Sequence, residues 1–259
     1  MRLREYTDTL PKALVPIGPF PVVLHVMRIY ASYGFRRFIL CLGYRGDMIK
    51  QYFMDHEWIS HDFILKMGPT RKKEVRTLVA ERHHLDYEIT FADTGLDTPT
   101  GGRVKKIEKY IETENFHVTY CDSLADIDIR QLTEYHKRMG KIGTVTAVHV
   151  MSPFGIIDVD NTGIATSFKE KPALPGYING GYLVFKKAFF KYLTEKSILE
   201  EDPLRIIASK NQLAAYRLEK FWACMDTFKD VERLNALWDK GYMPNTGFRG
   251  RPPWVRDGE

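Results

Sequence analysis

Cysteine is scarce in this sequence, and Cys41, Cys121 and Cys224 stand far apart. That spacing excludes a disulfide framework and any CxxC metal site, and reads most simply as small buried residues in a reducing cytosol. No apolar run approaches the roughly 18 residues a membrane-spanning helix needs. The opening MRLREYTDTL lacks the apolar centre of a signal peptide. A cytoplasmic protein with no membrane partner is therefore expected. Catalytic signatures are missing too: GxSxG, HExxH, GxxxxGK[ST] and GxGxxG do not occur. With no cysteine beside an activating histidine, covalent nucleophilic catalysis has little support. Neither sign of charge dominates, since 38 Lys and Arg against 33 Asp and Glu leave +5, scattered along the chain. Such a balance suits small phosphorylated anions and gives no nucleic-acid footprint.

What is present is ordinary globular material. The 259 residues are 44% hydrophobic and 27% charged, enough for one sizeable core. From Pro19 to Tyr33 the apolar residues Val22, Val23, Val26, Met27, Tyr30 and Tyr33 share one helical stripe, which Gly34 ends. Phe38–Leu42 reads as a buried strand, and Asp47–Phe53 as a short helix. Strands are expected at Asp86–Thr94 and Asn115–Asp122, with a turn and then a helix between Gly101 and Thr113. A helix over Asp126–Met139, closed by Gly140, leads to a β-branched strand at Thr144–Val150. Gly155–Val159, a turn at Asn161–Gly163 and a strand into Phe168 make a hairpin. A strand at Tyr182–Phe185, a helix at Asp202–Ser209 and a strand at Ala214–Leu218 complete the pattern. No repeat or linker divides it, so we expect one α/β domain with a mixed sheet over residues 1–246. The segment 247–259, rich in Gly, Pro and Arg, is expected to be an extended tail.

Four carboxylates follow apolar runs. Asp122 comes after HVTYC, Asp126 and Asp128 soon after it, and Asp226 after FWACM. Ligand sites of open α/β sheets gather at the carboxyl ends of strands, where two distant aspartates can converge on Mg²⁺. A helix cap or turn is the alternative for Asp122 and Asp226, and the better reading for Asp126 and Asp128. Three segments combine Lys or Arg with Pro or Gly: Leu10-Pro11-Lys12, Thr100-Gly101-Gly102-Arg103 and Phe168-Lys169-Glu170-Lys171-Pro172. Glycine pairs admit a ligand to the backbone, and basic side chains neutralise phosphate. Asn179-Gly180-Gly181 is either a tight turn or an amide placed to hold sugar hydroxyls.

Taken in order, PKALVPIG (11–18), GYRGDMIKQYF (43–53), DTG with TGGRVKKI (93–107), VTYCDSLADIDI (118–129), FKEKP (168–172), INGGYLVF (178–185) and FWACMDTFKD (221–230) resemble the sugar-1-phosphate nucleotidylyltransferases. Within them the resemblance is greatest to the glucose-1-phosphate cytidylyltransferases, and it spans residues 2 to 240. It implies a Rossmann-like nucleotidyltransferase fold with a mixed, mostly parallel sheet, and a reaction of CTP with α-D-glucose 1-phosphate giving CDP-glucose and pyrophosphate. Attack on the α-phosphorus would be in line, a chemistry of positioning and charge neutralisation. Carried over by matching position, Lys12 would neutralise phosphate charge, and Asp122 and Asp226 would hold Mg²⁺. Gly101, Gly102 and Arg103 would border the base, Glu170 and Asn179 would bond the glucose hydroxyls, and Lys171 would meet the sugar phosphate. Arg2 matches the arginine that closes the family's glycine-rich signature. The partners implied are CTP and glucose 1-phosphate, with a homo-oligomer possible.

The sequence also departs from that pattern. The family opens with a buried strand and a GGxGTR loop whose N–H groups cradle the triphosphate. Here Met1 stands at the threonine before the arginine. The expectation is that the natural chain starts upstream, or that this is a degenerate relative. Cys121 and Ser123 replace the glycines that flank the metal aspartate and could crowd a nucleotide, Ala13 replaces a second proline, and Pro153 stands where an arginine is common. The alternatives are a non-catalytic relative that binds a sugar phosphate or a protein partner, and the same reaction with another NTP.

Overall fold

The elements follow from local chemistry. The computed structural model describes residues 10–59, 62–67, 73–77, 86–152, 154–240 and 251–256. Arg2, Pro153 and residues 247–250 and 257–259 of the expected tail lie outside the described residues. Two short strands, β1 (Pro16–Ile17) and β2 (Phe20–Pro21), turn the chain through Gly18 into helix α1 (Val22–Ala31). Pro21 precedes the helix with φ −68°, the angle its ring imposes, and nine of the ten helical residues are buried. Gly34, at φ +87°, ends the turn after it. Next come β3 (Arg37–Leu42), α2 (Gly46–Ile59), an antiparallel pair β4 (Phe63–Met67) and β5 (Lys73–Thr77), and β6 (Glu88–Asp93), which pairs in parallel with β3.

Helix α3 (Thr100–Lys106) begins directly after Pro99 and takes in the glycine pair, where a turn had been expected first. After β7 (Asn115–Thr119) and β8 (Ser123–Ala125), Asp128 caps helix α4 (Ile129–Met139), its carboxylate accepting the Gln131 N–H at 2.9 Å. Strand β9 (Gly143–Val148) and the hairpin β10 (Ile156–Val159)–β11 (Ala165–Lys169) agree with the sequence pattern. The chain continues through β12 (Ile178–Lys186), α5 (Asp202–Ser209), β13 (Leu213–Leu218), β14 (Trp222–Cys224) and α6 (Phe228–Lys240).

The central sheet runs β13-β9-β12-β7. β13 is parallel to β9, while β12 is antiparallel to both β9 and β7, so three strands share one direction. The sheet is thus mixed, as expected, with one parallel and two antiparallel pairings. One core cluster joins α1 and α4 to β8 and the inner side of β12 through Ile29, Leu124, Leu132 and Tyr182. A second cluster is built on phenylalanines, with Phe185 stacked on Phe189 at 3.9 Å and Phe116 on Phe190 at 4.9 Å.

The described part of the tail packs against this core. Trp254 is 2% exposed, and its indole N–H donates to His25 Nδ1 at 3.3 Å. Arg256 holds the Asp126 carboxylate at 2.7 Å, so Asp126 anchors the chain end.

Candidate active site

Lys12 opens a single turn of 3-10 helix, Lys12–Leu14, whose Ala13 and Leu14 are buried among Val23, Met27, Leu42 and Ile49. That anchorage fixes the lysine backbone. Its half-buried ammonium donates to Asp122 Oδ2 at 2.7 Å and to Asp226 Oδ1 at 2.8 Å. Three residues singled out from distant parts of the sequence therefore meet at one point. The antiparallel pairing of β8 with β14 brings the two aspartates together: Ser123 faces Cys224, and Met225 N–H donates to Asp122 O at 2.8 Å. Asp122 stands just before one strand of that ladder and Asp226 two residues beyond the other.

Charge in the cluster is mutually stabilised. Burial alone would lower the Lys12 pKa, but hydrogen bonds and charge attraction from both aspartates outweigh it and raise it. The Lys12 hydrogen bond draws the Asp226 carboxyl below its usual range against a smaller desolvation cost. Cys224 also bonds Asp226, and burial together with that negative charge pushes its thiol up to about 12. It stays protonated, a neutral donor rather than a nucleophile.

A capping box positions Asp226, and sequence reasoning missed it. Asp230 Oδ2 accepts the N–H and hydroxyl of Thr227, both at 2.8 Å, and the N–H of Asp226 at 3.2 Å. Thr227 Oγ1 in turn accepts the Asp230 N–H at 3.2 Å. This locks the start of α6 directly behind Asp226. The Thr-x-x-Asp spacing was its sequence signal.

The other expected site residues make contacts of their own outside this cluster. The Arg103 guanidinium donates to Leu42 O, Thr94 Oγ1 and Leu96 O at 2.6–3.0 Å, tying together the ends of β3 and β6. Gly101 and Gly102 press against the segment 195–199, where a Cβ on Gly102 would stand 2.1 Å from Glu195 O. Their lack of a side chain is thus used by packing within the protein. Glu170 and Lys171 sit at the exit of β11, 63% and 62% exposed and 3.7 Å from each other. No described hydrogen bond joins them to the Lys12 cluster. Asn179 is exposed at the start of β12, its Oδ1 accepting the Gly181 N–H at 3.0 Å. Ser123 is 2% exposed, and its buried hydroxyl lies 3.2 Å from where a Cβ on Gly181 would stand.

The donor set suits a small hard cation. Two carboxylates grip a single ammonium, so their oxygens already lie at a separation that one cation spans. Among the described residues no group of three or more His, Cys, Asp or Glu forms a protein-only metal cage. A pair of carboxylates that leaves other positions to substrate oxygens matches Mg²⁺ chemistry.

A lysine and two carboxylates converging beside strand ends of an α/β sheet are the arrangement of a phosphate-handling enzyme. The chain matches the family described as Nucleotidyl transferase over residues 1–242, and it belongs to that family. It is 39% identical over 242 residues to the "Probable glucose-1-phosphate cytidylyltransferase" of Bacillus subtilis, covering 93% of this chain and 92% of that protein. It is 36% identical over 249 residues to the glucose-1-phosphate cytidylyltransferase of Salmonella typhimurium, covering 94% and 93%. The fold is similar to the crystal structure of HddC from Yersinia pseudotuberculosis, with a TM-score of 0.60 and 22% identity over 88% of this chain and 89% of that one. No helix among the described residues is long and apolar enough to cross a membrane.

Proposed function

We propose that this nucleotidyltransferase joins CTP and α-D-glucose 1-phosphate to give CDP-glucose and pyrophosphate, with Mg²⁺ held by Asp122 and Asp226. The observation that carries the reading is the convergence of Lys12, Asp122 and Asp226 on one point. The choice of cytosine and glucose is supported by relatives at 36–39% identity along almost the whole chain. A sugar-phosphate oxygen attacks the α-phosphorus, the bond from that phosphorus to the bridging oxygen breaks, and pyrophosphate leaves. Lys12 neutralises the charge that builds on the phosphate, and Arg2 adds a second cation there. Mg²⁺ held by Asp122 and Asp226 would supply further charge neutralisation to the phosphates. Gly101, Gly102 and Arg103 form the wall beside the base, Glu170 and Asn179 bond sugar hydroxyls, and Lys171 faces the sugar phosphate. The catalytic domain occupies residues 1–246, and three free cysteines accord with a cytoplasmic setting.

Pyrophosphate release is measured with each NTP, glucose 1-phosphate and Mg²⁺, for wild type and Asp226→Asn. We expect turnover with CTP, its loss on chelation, and a drop of roughly a hundredfold or more in the variant. Normal turnover by Asp226→Asn removes the metal assignment, and a preference for another NTP removes the cytidylyl assignment.

A further inference from the structure

Tyr120 and Glu200 lie outside the roles assigned above, yet they connect Thr100, beside the glycine pair, with Asn179. Tyr120 follows β7, two residues before Asp122, and its hydroxyl donates to Glu200 Oε1. The other Glu200 oxygen accepts the Thr100 hydroxyl at 2.7 Å, and Thr100 Oγ1 accepts the Leu199 N–H at 2.9 Å. On the opposite side, Asn179 Nδ2 donates to the Tyr120 oxygen at 3.4 Å. Gly181 makes this contact possible. A Cβ there would stand 2.8 Å from the Tyr120 ring, and its φ of +80° suits glycine. The Asn-Gly-Gly triplet is therefore shaped to receive the tyrosine ring.

Proton directions along the chain are fixed at both ends. Glu200 as a carboxylate only accepts, so the Tyr120 proton points to it and the tyrosine oxygen is left as an acceptor. At the other end Gly181 N–H can donate only to the amide oxygen of Asn179. Its NH₂ group must then face Tyr120, and one of the two amide N–H bonds goes there. The second remains to be donated to a ligand. From this geometry we infer that Tyr120, oriented by Glu200, is a positioning residue that makes Asn179 a fixed hydrogen-bond donor to a hydroxyl oxygen of the sugar phosphate. The inference rests on the proposed sugar-phosphate site. It adds which way the bond runs and what enforces it.

Steady-state kinetics of wild type, Asn179→Ala, Tyr120→Phe and the double variant test it, with CTP and glucose 1-phosphate each varied. Tyr120→Phe should raise KM for glucose 1-phosphate about tenfold, the size of one net hydrogen bond, with KM for CTP within about twofold. The double variant should lose no more than Asn179→Ala alone, because Tyr120 acts through that amide. Glu200→Gln, at an exposed position, should raise the same KM by about threefold, since a glutamine no longer dictates the proton direction. It stands in for Tyr120→Phe if that variant folds poorly. Additive losses, or equal effects on both substrates, overturn the inference and leave the proposed reaction intact. Absence of turnover in the wild type overturns the proposed reaction, and this inference with it.

Discussion

Lys12 separates two carboxylates that would otherwise face each other without a counterion. With the Asp226 side chain 65% exposed, this arrangement contributes little to stability, because solvent screens the pair. Its consequence is functional. The ammonium lies between the two carboxylates, so a divalent cation held by the proposed Asp122–Asp226 pair would compete with it. Lys12→Gln should therefore bind Mg²⁺ several-fold more tightly in the absence of nucleotide, while turnover falls roughly a hundredfold or more as the charge at the phosphate is lost. Calorimetric titration with Mg²⁺ checks the first half, and unchanged affinity would sink the competition. Lys12, Asp122 and Asp226 were legible because each stands beside an apolar run or a proline. Tyr120 and Glu200 were not, since a tyrosine at a strand end and a glutamate in an acidic run look like surface until the fold brings them together.

At the scale of elements, the Thr100-Gly101-Gly102 helix start has a packing reason that the motif alone does not show. The sequence suggested glycines that let a ligand approach. In the structure the side where Cβ atoms would lie is filled by the segment 195–199, and Gly102 N–H donates to Ser197 O at 2.9 Å. Gly102 does not have a positive φ, so the constraint is contact rather than backbone conformation. Gly102→Ala should then destabilise the protein by about 1–3 kcal/mol through overpacking, read as a shift in denaturant midpoint. Gly34→Ala meets nothing within 4 Å and is strained only by its φ of +87°, which makes it a contrasting control. A Gly102→Ala protein of wild-type stability would place the close approach elsewhere. Long periodic elements such as α1 and α4 were readable from apolar spacing. The β8–β14 ladder was not: Ser123–Ala125 and Trp222–Cys224 are three residues each and carry no period. Yet that pairing, rather than any long element, joins the two aspartates.

Across the whole molecule the buried histidines link the chain end, the core and pH. Pro and Gly in the last residues suggested an extended tail, and a lone tryptophan carries no periodic signal of burial. Trp254 nevertheless donates to His25, whose Nε2–H donates to Ile17 O at 2.8 Å, so the ring is neutral with its proton on Nε2. Burial is the main cause that drives His25 to about 4, against the opposing hydrogen bond to Ile17. His117 is likewise held at about 4 by burial and then by His136. His136 is held at about 4 by burial and then by Lys186. In the unfolded chain all three titrate near 6.5. Between about pH 6.5 and 4 the unfolded state therefore binds protons that the folded state refuses, and stability falls as pH falls through that window. Below about 4 both states are protonated and the loss levels off. For His25 and His136, 1% and 0% exposed, the shift corresponds to an order of 3 kcal/mol each, a large share of a typical stability of about 5–15 kcal/mol. The melting temperature should therefore drop by about ten degrees or more from pH 7 to pH 4.5. Proton uptake on unfolding should approach about three near pH 5. Calorimetry in buffers of different ionisation enthalpy measures both quantities. A flat melting temperature with uptake near zero would mean that these imidazoles are not held neutral, and the Trp254–His25 clasp would lose its proton assignment with them.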